Sequence, residues 1–214
     1  MGDLRRAARR SARQGPVAYL AFRQCLRARA SADGRRRLAN ESQIEAMGMN
    51  FSEIDGERAE HPVDIVERVA AHNAWTFDRE QRDEISIAVA GQWTDYNVAF
   101  TWLPDVEALH MACAFDLKVP AARRDEVLRL IALANAQLWV GHFDLWSEDG
   151  LIIFRHALLL AGGLDASKGQ CESMLANAVN ACERYYQAFQ FVAWAGKTAR
   201  EALDSAMFET VGSA

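Results

Sequence analysis

The sequence predicts an α+β domain: a five-stranded, mainly antiparallel sheet with helices packed on one face. Two observations carry this. Three consecutive runs of alternating apolar and polar residues between 85 and 117 are separated only by short polar breaks, the pattern of an antiparallel meander with one buried face. Near the C-terminus, Cys171, Leu175, Ala178, Cys182, Tyr185, Phe189 and Val192 step by 4, 3, 4, 3, 4 and 3, which is a sustained apolar seam on one long helix.

Each element follows from its own pattern, in the order α-β-β-β-α-β-β-α. Pro62 suits a first helical turn, and Val63, Val66, Val69 and Ala70 recur at helical spacing to about His72, with Asp64 and Glu67 where the helix dipole favours acid. Trp75 and Phe77 offer a short extra strand, and Arg79–Asp83 reads as a charged turn. Ile85, Ile87 and Val89 form one strand, and a Gly91–Gln92 break leads into Tyr96, Val98, Phe100 and Trp102. Pro104 and Asp105 turn the chain into Leu109, Met111, Cys113, Phe115 and Leu117. Pro120 begins a second helix with the stripe Val127, Ile131, Ala134 and Leu138, ended by Gly141. Strands at about His142–Trp146 and Leu151–Leu160 are joined by Ser147–Gly150. The long helix runs from about Ser167 to Ala195 and stops at Gly196, before a short final helix over Thr198–Phe208.

Charge divides the chain. Its 214 residues carry a net charge of −5, but residues 1–38 hold 11 Arg and 2 Asp while the remainder holds 13 cations and 27 acids. Residues 1–48 read as an Arg-rich disordered extension, 49–60 as an acidic linker and 61–212 as the folded domain. Three alternatives stand for the extension: a basic arm that binds nucleic acid or an anionic surface, an organelle presequence, or a start-codon error with translation from Met47 or Met49. A secretory signal fits badly, because the apolar patch Val17–Phe22 is only six residues long. No apolar run reaches the roughly 18 residues of a membrane-spanning helix.

Catalytic constellations are weak. Cys25, Cys113, Cys171 and Cys182 show neither CxxC pairing nor zinc-type spacing with histidine, and read as reduced thiols in a cytoplasmic protein. Gly196–Thr198 matches the end of a phosphate-binding loop, but Phe191 stands where its first glycine belongs and a helix precedes it. The Gly162–Gly163 loop offers amides to an anion or is a plain turn. His142 and Asp144 share a strand face, and His156 on the adjoining strand completes a two-histidine, one-carboxylate set of the kind that holds a divalent metal; polar pairing across a sheet is the plain alternative. No cofactor motif is present. The long helix exceeds what five strands need, so its surplus, rich in Tyr185, Tyr186, Phe189, Phe191 and Trp194, offers a dimer contact or a seat for a partner segment.

Several strings together resemble one family: HPVDIVERVAAHNAW at 61–75, CAFDLKVPAARRDEV at 113–127, LWVGHFDLW at 138–146, LIIFRHALLL at 151–160, CERYYQAFQFVAWAGKTAREAL at 182–203 and ETVG at 209–212. Over residues 60–212 the chain resembles the YbjN family of bacterial sensory transduction regulators, whose fold is similar to that of the small acidic dimeric chaperones of type III secretion. The resemblance implies a non-enzymatic cytoplasmic regulator or chaperone-like adaptor, a homodimer that binds a partner protein, and it supplies no catalytic residue and no cofactor. Six tryptophans in one domain point to an apolar binding surface, expected at Trp93, Trp146, Phe154 and Trp194. The alternatives are a metal- or ligand-binding protein or enzyme using His142, Asp144 and His156, and a nucleic-acid binder acting through the Arg-rich arm.

Overall fold

A computed structural model describes residues 58–146 and 149–211. The chain divides into two units, residues 1–50 and 51–214, and the described residues lie in the second. The Arg-rich extension, its candidate start codons and all but the last three linker residues therefore lie outside the described residues.

Helix α1 (Pro62–His72) begins where the sequence places it, with Pro62 in the first turn. Its cap is His61, whose ring accepts a hydrogen bond from the Val63 amide while its Nε2 lies 2.8 Å from Asp83. Four antiparallel strands follow: β1 (Thr76–Gln81), β2 (Glu84–Ala90), β3 (Asp95–Leu103) and β4 (Ala108–Lys118). Helix α2 (Arg124–Asn135) precedes β5 (His142–Trp146) and β6 (Leu151–Leu159). Two helices close the chain, α3 (Lys168–Ala193) and α4 (Ala199–Val211).

The sheet has six strands among the described residues, ordered β1-β2-β3-β4-β6-β5 and antiparallel throughout. The expected α+β architecture is present, with a strand more than the five expected. The addition is β1, the short extra strand offered at Trp75 and Phe77, which runs on into the supposed charged turn: Arg79 lies in the strand and pairs with Asp64 (2.7 Å) and Glu67 of α1. Charged residues suit an edge strand with one side in water. Two boundaries also differ. The β2–β3 loop spans Gly91–Thr94 rather than two residues, and α2 ends at Asn135, six residues before Gly141.

Helices α1, α2 and α3 pack on one face of the sheet, and α4 packs against α2 and α3. The register places Ile85, Val98, Phe100, Met111, Cys113, Phe143 and Phe154 on that face, all of them buried. Every residue of the 4–3 seam on α3 is buried against them. Phe143 sits at an aromatic centre, edge-on to Phe154, Tyr185 and Phe189 at centroid separations of 5.4, 5.6 and 5.1 Å. Reciprocal capping fixes where the long helix starts: the Gln170 amide donates to Ser167 Oγ and the Ser167 amide to Gln170 Oε1.

Candidate functional site

Exposed tryptophans and a polar network on the sheet are the two sets of residues with functional potential. Among the large apolar side chains, Trp139 is the most exposed, at 99%, followed on the same turn by Val140 at 46%. The turn is built firmly. At the end of α2 the Asn135 amide group bonds both ways with the backbone of Phe143 in β5: it accepts from the Phe143 N–H (2.8 Å) and donates to its carbonyl (3.1 Å). Gln137 Oε1 accepts from the Tyr185 hydroxyl (3.2 Å), and the Val140 carbonyl accepts from Asn177 (3.4 Å), both partners lying on α3. Gly141 then passes over the ring of Phe154 with φ +72°, so closely that a Cβ would stand 2.3 Å from that ring. The side chain of Trp139 is thus held out to solvent from a turn tied at four points.

Two of the expected binding residues share this exposure. Trp194, the C-cap of α3, is 60% exposed, and Trp93, in the β2–β3 loop, is 40% exposed. Glu183 of α3 fastens that loop by accepting from the Gln92 amide at 2.6 Å. Arg123, just before α2, donates to the carbonyls of Val192 and Lys197, so Trp194 and Trp139 flank opposite ends of α2. A 12-residue helix is about 18 Å long, which sets the scale of their separation.

The other two expectations do not hold. Trp146 and Phe154 are 1% and 0% exposed. Phe154 packs into the aromatic centre, and Trp146, at the last position of β5, is enclosed on the sheet's second face. Neither offers a surface to a partner. Trp139, absent from the expected set, is instead the most exposed tryptophan among the described residues.

The second face carries the polar network. Register pairs His142 with Arg155, which puts His142, Asp144, Arg155 and His110 on this face, and His156, one residue beyond Arg155, on the helix-bearing face. The expected His142, Asp144 and His156 set is therefore split between two faces. Asp144 is also committed: one oxygen accepts from Arg155 (3.2 Å) and the other from the Leu145 amide (2.8 Å). Arg155 Nε donates in turn to His110 Nε2 at 3.3 Å. Burial, with the nearby charges of Arg155, His142 and His156, pushes His110 down to about 4, so at neutral pH its ring is an uncharged acceptor. Among the described residues no group of three or more His, Cys, Asp or Glu side chains is arranged to hold a metal ion.

The two loops weighed as anion sites are filled from within. Glu107, in a left-handed backbone conformation at φ +45°, accepts from the Gly162 amide (3.0 Å) and from Arg58 (3.2 Å). The Gly162 bond leads the causes that hold its carboxyl below the ordinary range. In the Gly196–Thr198 string, Thr198 caps α4 by exchanging bonds with Glu201, and Lys197 lies 4.3 Å over the Phe191 ring and donates to Ser205. That string closes one helix and opens the next.

Comparison with known proteins gives a sequence family and a structural likeness. The YbjN family model, described as "Putative bacterial sensory transduction regulator", matches residues 62–191. No curated protein matches. Among solved structures, a chain of the "Crystal Structure of the ExsC-ExsE Complex" is similar with a TM-score of 0.41 and 16% identity, covering 62% of this chain and 93% of that chain. No described helix is long and apolar enough to cross a membrane.

Proposed function

The chain belongs to the YbjN family, and from that premise we propose that it is a non-enzymatic cytoplasmic regulator, a chaperone-like adaptor that acts as a homodimer and captures a partner protein through exposed tryptophans. The observation that carries the reading is Trp139, fully in water yet mounted on a turn fastened to α3 and β5. Leaving a large apolar side chain in water forgoes roughly 1.5–3 kcal/mol of burial, which a partner recovers on docking. A tethered aromatic also loses little conformational entropy when it binds, the property that makes tryptophan a frequent anchor at interfaces. Trp93 and Trp194 are the further anchors of this reading.

Full-length chain and its triple variant Trp93→Ala, Trp139→Ala, Trp194→Ala, each used as bait in native cytosol, test the proposal. The native bait is expected to retain one protein at near-equal stoichiometry, and the variant to lose at least ten-fold of it while its far-ultraviolet circular dichroism is unchanged. Equal capture by both baits would remove the tryptophans from the reading.

A further inference from the structure

We propose that Cys113 and Cys182 are a dithiol that a hydroperoxide converts to a disulfide, fastening the middle of α3 to the inner strand β4. The two sulfurs are 3.6 Å apart across the helix–sheet interface, 69 residues apart in sequence, and both side chains are 0% exposed. Each is held by rigid surroundings. Cys113 pairs with Val98 and Phe154 on the neighbouring strands, and Cys182 lies on the buried seam of α3. Cys171 is no competitor: it lies eleven residues earlier on the same helix, about 16 Å along the axis. The pair needs the sulfurs to close from contact distance to a bond of about 2.05 Å, a shift a helix on a sheet accommodates by sliding rather than unfolding.

The chemistry balances with hydrogen peroxide as oxidant. One cysteine sulfur attacks a peroxide oxygen; an S–O bond forms, the O–O bond breaks, and water leaves after protonation, giving a sulfenic acid. The second sulfur attacks the first; the S–S bond forms, the S–O bond breaks, and the departing hydroxide leaves as a second water with the remaining thiol proton. Two thiols give two electrons to one peroxide. Burial raises the Cys182 thiol well above its ordinary range, so the reaction proceeds through local opening and is slow, and the finished bond is equally sheltered from reductants. The cross-link bears on the surface as well. Glu183, the next residue on α3, holds the loop that carries Trp93, so a shift of α3 at Cys182 is passed to that loop.

Full-length protein is incubated for hours with excess hydrogen peroxide, then denatured and alkylated. Two fewer alkyl groups than the reduced control, missing from Cys113 and Cys182, a cross-linked peptide joining residues 113 and 182, and, in a parallel sample left native, a rise of roughly 5–10 °C in melting temperature that a dithiol reductant reverses are expected. Cys171→Ser leaves all three unchanged, whereas Cys182→Ala abolishes them. Peptides in which Cys113 and Cys182 both remain alkylated, or in which either reaches the sulfinic acid or is joined to another cysteine, would overturn the proposal.

Discussion

His110 shows how one buried ring ties stability to acidity. Its Nε2 accepts from Arg155, an arrangement available only to the neutral ring, and protonation would place a second positive charge against the guanidinium. Its value of about 4 in the fold lies below the 6.5 of an ordinary histidine, so between these limits the unfolded chain binds the extra proton. The contribution is complete above pH 6.5 and is lost as the pH falls towards 4, to a total of roughly 3 kcal/mol. Urea unfolding from pH 7 to 4 should show that loss in the native chain, and His110→Gln, which keeps an acceptor without a titration, should flatten it by the same amount. Identical slopes in the two proteins would assign the pH dependence to other groups. Nothing local to His110 announces this role, since its partner Arg155 is 45 residues distant and meets it only through the β4–β6 register.

Among the elements, the α2–β5 connection is the least legible in the sequence and the most consequential. Leu138 falls on the α2 stripe and Gly141 reads as the stop, so the periodicity carries the helix past Trp139, which lies off the stripe and is given no role. What ends the helix at Asn135 is a side-chain bond to Phe143, eight residues on, and side-chain bonding of that kind leaves no periodic trace. The misplaced Phe154 has a related cause. Leu151–Phe154 is buried on both faces, so alternation gives no hint of which side chains meet solvent. The seam of α3 was fully legible for the opposite reason: a long helix with one buried stripe repeats its signal for seven positions. Gly141→Ala should cost at least about 2 kcal/mol, because the new methyl meets the Phe154 ring and the backbone is at positive φ. Chemical denaturation measures it, and a native-like midpoint would show that the turn yields.

At the scale of the molecule, the sheet separates two environments. One face carries three helices and an aromatic centre; the other carries Glu84, Ser86 and His110, the buried polar residues among those described. The α+β class and antiparallel pairing were legible because the strands follow one another with short connections, whereas the extra strand offered at Trp75 and Phe77 runs on into a charged segment that reads as a turn and that an edge tolerates. The homodimer of the proposed function belongs at this scale. Light scattering on the full-length chain should give twice the 23.9 kDa chain mass at micromolar concentration, and a monomeric value would remove the dimer from the reading without touching partner capture.

The pairing of Asn135 with Phe143 has a further consequence for crowding. β5 is the last strand of the sheet, and its outward N–H groups at Phe143 and Leu145 are already taken by the side chains of Asn135 and Asp144. A strand from another molecule that approaches this border finds its donors occupied, so fibrillar growth by strand addition is blocked there. The Asn135–Phe143 bond that helps hold Trp139 out to solvent thus also occupies part of the neighbouring border, and a chain with Asn135→Ala would weaken the display and free the Phe143 donor together.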